Sequence, residues 1–230
     1  MNNSSSQASD AKPGNKPVRA IFGGTFNPVH KGHTGAIEIL DAEIGFKSVH
    51  FVLSARPPHK GDVTASVDQR FTMLELALAD YTHFYADDTE MLRPTVSYTM
   101  DTVNTFKARF PRSKLVIVIG SDSLLRLHTW YQIDDWIDKI DWVVLARPGY
   151  DTQQLAHFQN RLVHTASEFR ASEGGSIWIY PGSNFDVSST ELRRCLRASP
   201  QLTDAQHEYL DTHMAPQVRQ YIQSKSLYTL

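Results

Sequence analysis

The residues with the clearest chemistry lie between Val18 and His33. An apolar run leads to Gly23 and Gly24, and apolar residues at helical spacing follow His33. Glycines let a ligand approach the backbone where a Cβ would obstruct it, and the free amides of a helix start carry the positive end of the helix dipole. This order of strand, tight turn and helix predicts a phosphate-binding loop.

His30 and His33 would add donors to this loop, because residues three apart in a first helical turn share one face and both imidazoles can reach the same anion. The spacing also occurs in zinc sites, but no Glu follows His30 and no cysteine cluster is nearby, which disfavours a metal. Helix capping or simple surface exposure would explain an isolated pair of histidines. The glycine turn directly before this pair favours phosphate binding.

Further polar residues follow later strands, at the edge of the sheet where α/β proteins bind ligands. His59 and Lys60 lie in a proline-stiffened loop and could reach phosphate, although a solvated loop with incidental charge is the alternative. Asp122, soon after Gly120, is placed to bond a ribose hydroxyl or to cap a helix, and the two roles are compatible. Arg147 can bind phosphate through two charge-assisted hydrogen bonds from its planar group.

A second group of candidates combines hydroxyls and aromatic rings. The hydroxyls of residues 188–190 precede a basic first helical turn that contains Arg193, which predicts a second anion cradle. Trp130 lies in a loop where its ring could stack on a planar heterocycle, a contact of about one kcal/mol. A buried structural role is the alternative for Trp130, and it is the expected role of Trp136 and Trp142.

Apolar runs alternate with helical patterns along most of the chain, which predicts a parallel, doubly wound α/β sheet. Strands are predicted at 18–22, 48–53, 84–86, 115–119, 142–146 and 177–180. Helices are predicted with His30 and His33 in the first turn, over 66–81, from the hydroxyl-rich run after Pro94 to about Phe110, over 133–140 and over 216–224. Residues 151–175 are expected to form a helix and then a loop, and a small C-terminal helical subdomain is expected at about 188–230.

The composition is that of a globular protein with one substantial core, since 41% of the 230 residues are hydrophobic. The small polar residues at 1–16 predict a disordered tail, and 17–230 a single domain. A net charge of −2 gives no bulk attraction to nucleic acid or to an anionic membrane, and no apolar run is long enough to span a bilayer. The lone Cys195 cannot form an intramolecular disulfide, which favours a reducing, cytoplasmic location.

The motifs at the strand ends resemble those of the bacterial nicotinate-nucleotide adenylyltransferases, within the nucleotidyltransferase superfamily. The resemblance covers essentially residues 18–227 and implies a Rossmann-like fold. Many relatives carry Asp where this chain has Asn27. The matching segments are Gly-Gly-Thr-Phe-Asn-Pro-Val-His-Lys-Gly-His at 23–33, Pro-Pro-His-Lys at 57–60, Ser-Tyr-Thr at 97–99, Gly-Ser-Asp-Ser-Leu-Leu at 120–125, Thr-Trp-Tyr at 129–131, Ala-Arg-Pro-Gly-Tyr at 146–150 and Val-Ser-Ser-Thr-Glu-Leu-Arg at 187–193.

The resemblance implies transfer of AMP from ATP to nicotinate mononucleotide, which yields nicotinate adenine dinucleotide and pyrophosphate in NAD biosynthesis. The implied catalytic residues are His30, His33, Lys60 and Arg147. The implied ATP-binding residues are Gly23, Gly24, Thr25, Phe26, Gly120, Asp122, Ser188, Ser189, Thr190 and Arg193. The implied residues for nicotinate mononucleotide are Asn27, His59, Thr99, Trp130 and Tyr131. Among these, Trp130 would stack on the pyridine ring, and Thr99 and the amide of Tyr131 would meet its carboxylate.

Such a transfer needs no protein nucleophile and no general base, because a phosphate oxygen that is ionised at neutral pH attacks the α-phosphorus in line. Catalysis then consists of positioning and charge neutralisation, helped by Mg²⁺ that is bound mainly by the triphosphate and water, with no dedicated protein metal site. ATP and nicotinate mononucleotide are the expected partners. The chain is expected to be a monomer or a weak homo-oligomer.

Two other functions stay open. A different acceptor, such as nicotinamide mononucleotide or phosphopantetheine, would keep the same chemistry, although relatives that use phosphopantetheine are usually shorter and carry Thr where His30 stands. A nucleotide-binding regulator could have kept the pocket and lost turnover, and Asn27 is the main reason to consider it. Every phosphate-facing position is nevertheless filled by a competent residue.

Overall fold

Seven parallel strands form the sheet in the computed structural model, which describes residues 16–56, 64–93, 98–146, 152–181, 185–198 and 201–229. The strands are β1 (Val18–Gly24), β2 (Ser48–Leu53), β3 (Phe84–Asp87), β4 (Lys114–Gly120), β5 (Asp141–Leu145), β6 (Leu162–Val163) and β7 (Ile177–Tyr180). Their order is β3-β2-β1-β4-β5-β7-β6, and every neighbouring pair is parallel. The predicted parallel sheet is therefore confirmed.

Helices connect the strands, as parallel pairing requires. They are α1 (Lys31–Ile44), α2 (Val67–Leu78), α3 (Thr99–Arg109), α4 (Ser121–Leu124), α5 (Ile133–Trp136), α6 (Ala166–Ala171), α7 (Ser189–Arg197), α8 (Asp204–His213) and α9 (Pro216–Ser224). The described residues also form 3-10 helices at Leu127–Thr129, Ile137–Lys139 and Thr152–Arg161, of which the last is the longest.

Some of the predicted elements differ from the structure. The predicted helix over 133–140 is wrong as a single α-helix, because it divides into α5 and the 3-10 turn Ile137–Lys139. The two-residue strand β6 was not predicted within 151–175, since two residues carry no periodicity and only the pairing of Leu162 with Ile177 defines them. Helix α3 begins at Thr99 after Tyr98, whose side chain makes no capping hydrogen bond, so the expected hydroxyl cap is absent at this helix start. The predicted tail at 1–16 falls outside the described residues except for Lys16.

The two faces of the sheet bury separate apolar clusters, as a doubly wound sheet requires. Ala20 and Phe22 of β1 lie in one cluster with residues of α1 and α2. Ile21, between them, lies in the other cluster with Phe106 of α3. Trp142 is fully buried and Trp136 is 5% exposed in this second cluster, which confirms the structural role expected of both.

The C-terminal helices pack on the first of these clusters. Leu210 of α8, Val218 and Ile222 of α9, and Leu227 and Tyr228 beyond α9 are all buried there. The C-terminal end of the chain is thereby held close to α2 and to the sheet.

A buried chain of polar groups joins β2 to β3. The Nε2 atom of His50 lies 3.0 Å from Ser48 Oγ, and its Nδ1 atom lies 3.1 Å from Asp87 Oδ2. The order of Ser, His and carboxylate matches that of a hydrolase triad. Ser48 is only 2% exposed and accepts a hydrogen bond from Arg19, so no substrate can reach its hydroxyl, and the chain of groups is structural.

The carboxylate of Asp87 should make the free energy of unfolding depend on pH in the acid range. Burial alone would raise its pKa, but hydrogen bonds from His50 and Thr89 outweigh that effect and lower the pKa from 3.8 to about 2. Because the folded pKa lies below the unfolded one, the carboxylate stabilises the fold above about pH 4 and loses this contribution as the pH falls toward 2, about 2 kcal/mol in total. In urea unfolding between pH 5 and 2, the free energy of unfolding should fall less steeply with decreasing pH for Asp87→Asn than for the unmodified chain. An equally steep fall in both would contradict the lowered pKa of Asp87.

Candidate active site

The predicted site residues that the structure describes follow strands at the carboxyl edge of the sheet or lie in segments packed there, beside β1 and β4. These two strands are neighbours, and the strand order reverses between them, from β1-β2-β3 on one side to β4-β5 on the other. In open α/β sheets a crevice forms at this reversal, and ligands bind there. The loops that follow β1 and β4 are those in which the sequence predicts phosphate and ribose contacts.

Of the two glycines that end β1, Gly23 has open space beside it and Gly24 does not. A Cβ at Gly23 would meet nothing within 4 Å, so the backbone there is accessible to a ligand. A Cβ at Gly24 would lie 2.7 Å from the ring of Phe26, which is 2% exposed and has a positive φ of 46°. Gly24 therefore accommodates a buried aromatic ring, whereas a close ligand approach was expected of both glycines.

His30 and His33 form a capping pair at the start of α1. His30 is the N-cap residue, and its backbone N–H donates to Nδ1 of His33 over 3.2 Å. The two ring centroids are 3.7 Å apart, so the imidazoles lie side by side as the spacing predicts. His33 also packs edge-on against Phe26, with ring centroids 5.1 Å apart.

This capping bond sets the tautomer of His33. Because Nδ1 accepts the backbone N–H of His30, the proton of the neutral imidazole lies on Nε2. In this tautomer the Nε2–H group is the hydrogen-bond donor of the ring, and a phosphate oxygen is a suitable acceptor for it. The capping role that was considered as an alternative is therefore confirmed for His33, and a cap through Nδ1 does not conflict with the anion binding that the sequence predicts.

The segment before α7 packs closely against α1 at two glycines. A Cβ at Gly32 would lie 2.7 Å from Val187, and one at Gly35 would lie 2.5 Å from the ring of Phe185. The sequence analysis did not assign these glycines, although their spacing of three on one helix face was a usable signal. Their contacts bring the start of α7 next to the histidine pair.

The two segments that the sequence predicts as separate anion cradles are joined by hydrogen bonds. The hydroxyl of Ser189 donates to the carbonyl of Pro28 over 3.0 Å, and Arg193 donates to the carbonyl of Asn27 over 2.7 Å. Arg193 also donates to the hydroxyl of Thr190 over 3.2 Å. Ser188 caps α7 by accepting the amide of Glu191, which confirms the predicted helix start and leaves its hydroxyl proton for another acceptor.

A buried arginine that the sequence analysis missed fixes the same loop. Arg70 of α2 is 1% exposed and donates to the carbonyls of Thr25 and Ser54, each over 2.9 Å, and to that of Ala55 over 3.3 Å. Burial lowers the pKa of its guanidinium. Arg70 therefore ties the loop after β1 to the loop after β2. A single arginine among apolar helix residues carries no sequence signal for such a role.

The side of the site predicted for the pyridine ring is built from α3 and the loop before α5. The rings of Tyr98 and Tyr131 stack with centroids 4.5 Å apart and planes 27° apart, which joins the start of α3 to the loop before α5. The indole of Trp136 donates to the carbonyl of Tyr131 over 3.2 Å and holds this peptide. The amide of Tyr131 makes no hydrogen bond to another residue that the structure describes.

Trp130 combines features of the two roles considered for it, stacking on a heterocycle and packing in the core. It is half-buried, and its ring centroid lies 6.3 Å from that of Trp136 and 6.0 Å from that of Trp142. One part of the indole thus packs on the second core cluster, while the remainder is exposed.

Gly120 and Asp122 sit at the end of β4. Gly120 is the N-cap residue of α4, so the capping role considered for Asp122 falls to this glycine. Asp122 lies in the first turn, half-exposed and 3.8 Å from Arg126.

Three predicted site residues, His59, Lys60 and Arg147, lie outside the described residues. Within the described part, no group of three or more His, Cys, Asp or Glu side chains is arranged to hold a metal ion. No described helix is long and apolar enough to cross a membrane.

Comparisons of the sequence with known proteins find relatives along most of the chain. The cytidylyltransferase-like family model matches residues 21–195. A probable nicotinate-nucleotide adenylyltransferase of Citrobacter koseri is 34% identical over 219 residues, which are 93% of this chain and 99% of the relative. The nicotinate-nucleotide adenylyltransferase of Salmonella typhimurium shows the same identity and the same coverage.

Solved structures share the fold. The nicotinic acid mononucleotide adenylyltransferase of Plasmodium falciparum, complexed with NaAD, has a TM-score of 0.69 at 15% identity and covers 92% of this chain and 97% of its own. A putative nicotinate-nucleotide adenylyltransferase of Vibrio parahaemolyticus has a TM-score of 0.57 at 18% identity, covering 92% and 95%. These structures show the shared fold, and the sequence relatives establish that the chain belongs to the nicotinate-nucleotide adenylyltransferase family.

Proposed function

We propose that this protein transfers AMP from ATP to nicotinate mononucleotide and releases pyrophosphate, a step of NAD biosynthesis. The observation that carries the proposal is the union of the two anion-binding elements. Ser189 and Arg193 hold the start of α7 against the carbonyls of the β1–α1 loop, next to His30 and His33. One site with that many phosphate donors suits a triphosphate and a second phosphate together.

The reaction would proceed by in-line displacement. An oxygen of the nicotinate mononucleotide phosphate forms a bond to the α-phosphorus of ATP, while the bond from that phosphorus to the oxygen bridging to the β-phosphate breaks. Pyrophosphate carries the electron pair away, and no proton has to be moved by the protein. His30, His33, Lys60 and Arg147 would neutralise the charge that develops on the transferring and leaving phosphates.

The remaining contacts follow from the predicted roles. ATP would lie against Gly23, Gly24, Thr25, Phe26, Gly120, Asp122, Ser188, Ser189, Thr190 and Arg193. Nicotinate mononucleotide would lie against Asn27, His59, Thr99, Trp130 and Tyr131. The stacked pair Tyr98 and Tyr131 supports this arrangement, because it joins the helix start at Thr99 to the loop that carries the amide of Tyr131.

Magnesium would accompany ATP, where it offsets the negative charge of the phosphates. The imidazole and guanidinium groups around the β1–α1 loop are donors that suit phosphate oxygens and are poor ligands for this cation. The residues present therefore fit a metal carried by the nucleotide. We also retain the expectations of a cytoplasmic location and of a monomer or weak homo-oligomer.

Pyrophosphate release with ATP and magnesium tests the function, with nicotinate mononucleotide and its amide compared at equal concentration. We expect kcat/KM for nicotinate mononucleotide to exceed that for its amide by on the order of a hundredfold. The donors at Thr99 and at the amide of Tyr131 would face a carboxylate in the acid, but the N–H groups of the carboxamide in its amide. Equal use of both would leave the chemistry intact and overturn the assigned acceptor. Tight ATP binding without release from either would favour a nucleotide-binding regulator.

A further inference from the structure

A cavity lies at the amino edge of the sheet, opposite the edge that carries the candidate active site. Its lining includes the first residues of three neighbouring strands, Val18 of β1, Lys114 of β4 and Asp141 of β5. Residues at the ends of α3 and α6 also line it. Because the seven residues of β4 each rise about 3.3 Å, the two ends of this strand lie about 20 Å apart. The cavity is therefore separate from the active site.

The cavity concentrates positive charge in a chain whose net charge is −2. Lys114 has a carboxylate partner, since its Nζ atom lies 2.9 Å from Oδ2 of Asp141. The other cations of the lining form no ion pair with any carboxylate that the structure describes. These unpaired cations are Lys16, Lys107, Lys139 and Arg170, and Glu173 is the one carboxylate beside them in the described lining apart from Asp141.

Helix dipoles account for part of this arrangement. Lys107 lies in the last turn of α3 and Arg170 in the last turn of α6, where a positive charge is favourable. They do not account for the approach of Lys107 to Lys139. Partial burial, and then the nearby charge of Lys139, lower the pKa of Lys107. Two ammonium groups that line one cavity repel each other, and an anion bound between them would remove this cost.

The size of the cavity suits a small molecule. Its volume is about 360 Å³, which lies near the lower end of the range for ligand pockets. Buried apolar residues, Val18, Leu115 and Ile140, line it together with the cations. A pocket with these features takes a compact organic anion, whereas a nucleic acid or a protein surface would need a wider contact area.

The type of cation favours phosphate as the anionic group. Lys16, Lys107 and Lys139 supply three of the four unpaired charges. A lysine ammonium is a compact point charge that binds phosphate well, whereas the planar fork of an arginine is the better match for a single carboxylate. A phosphate ester carries close to two negative charges at neutral pH, so several ammonium groups can share it.

We propose that the cavity at the amino edge of the sheet is a second anion-binding site, which takes a small phosphorylated metabolite, with Lys107 and Lys139 as its main phosphate donors. The proposal goes beyond the proposed function and does not depend on it. Its ligand would bind about one strand length away from the substrates of adenylyl transfer, so it would not displace them.

Inorganic tripolyphosphate is the probe for this site, and the amide chemical shifts of the isotopically labelled chain report where it binds. We expect two groups of shifting amides. One group would lie in the β1–α1 loop, and the other around Lys107, Ser113 and Gly174, which line the cavity. Shifts in the β1–α1 loop alone, or no shifts at all, would overturn the proposal.

The double variant Lys107→Gln/Lys139→Gln tests the assigned donors. We expect tripolyphosphate to bind the cavity at least about tenfold more weakly, with little change at the β1–α1 loop. The control is Arg197→Gln/Lys225→Gln, which removes the same charge from exposed positions outside the cavity. It should bind the probe at the cavity as the unmodified chain does. Equal weakening in both double variants would show non-specific attraction and overturn the proposal.

Urea unfolding of both double variants shows whether they remain folded during the titration. We expect the midpoint of Lys107→Gln/Lys139→Gln to be no lower than that of the control, because the repulsion between two ammonium groups is removed. A lower midpoint together with unchanged binding at the cavity would mean that the two lysines serve the helix ends alone, and the proposal would be wrong.

None of these measurements needs catalytic activity, so this proposal and the proposed function can fail separately. Shifts around the cavity in a chain that releases no pyrophosphate would support the second site and refute the proposed function. Pyrophosphate release without shifts around the cavity would do the reverse.

Discussion

His33→Ala is expected to lower kcat about a hundredfold to a thousandfold, the usual effect of removing one preorganised donor from a site of developing charge. The Nε2–H of His33 is the group lost, and the bond from His30 to Nδ1 fixes its tautomer. The same change also removes a capping contact, which should cost about 1 kcal/mol of the free energy of unfolding. Initial rates of pyrophosphate release, with urea unfolding of the same samples, measure both effects.

His33→Asn separates the two contributions. Its amide oxygen can accept the backbone N–H of His30 in place of Nδ1, so the cap is retained, while nothing replaces Nε2. We expect near-normal stability together with the full loss of kcat. The exposed His164 supplies the control, because His164→Ala should change neither quantity. Near-normal turnover in a folded His33→Asn would remove this residue from the mechanism.

Arg70→Met should give the largest loss of stability among the changes considered, about 3 kcal/mol of the free energy of unfolding. The substitution leaves the carbonyls of Thr25, Ser54 and Ala55 without their donor in a buried position. The relief of burying a charge offsets part of this cost, which is why the estimate is below the sum of three lost bonds. Urea unfolding at constant pH measures the difference.

Arg112→Met is the matched control for Arg70→Met, since Arg112 is exposed and makes no ion pair with the described residues. It should stay within about 0.5 kcal/mol of the unmodified chain. A folded Arg70→Met should also bind ATP more weakly, because Thr25 begins the loop that carries the phosphate donors. Equal stability of the two variants would show that the three carbonyls find other partners at no cost.

Local patterns in the sequence were sufficient for most of the fold. The strand predicted at 115–119 corresponds to β4 because a central parallel strand is apolar on both faces, and β2 and β7 match the predicted bounds for the same reason. The run of hydroxyls at 188–190 predicted a capped helix start, and Ser188 is the cap of α7, because a capping side chain bonds an amide only three residues ahead. Signals of this kind are contained within one element.

The departures from prediction come from contacts with other elements. The run at 133–140 is apolar at helical spacing, yet the chain changes from α to 3-10 geometry after Trp136. At this point the indole N–H of Trp142 donates a hydrogen bond to the carbonyl of Ile137. Strand β6 exists through its neighbour β7. In the first case a contact from another element outweighed the helix propensity of the segment, and in the second such a contact supplied a strand that the segment alone does not predict.

The sequence by itself determined the parallel α/β sheet, the glycine turn followed by a histidine pair, and the family to which these motifs point. Only the tertiary structure decided that α7 joins the β1–α1 loop, that Tyr98 stacks on Tyr131, and that Arg70 and Tyr228 hold the loop from below. The reason is physical: periodicity and capping act over a few residues, whereas these contacts join groups 33 to 201 positions apart, and packing against a common core brings them together.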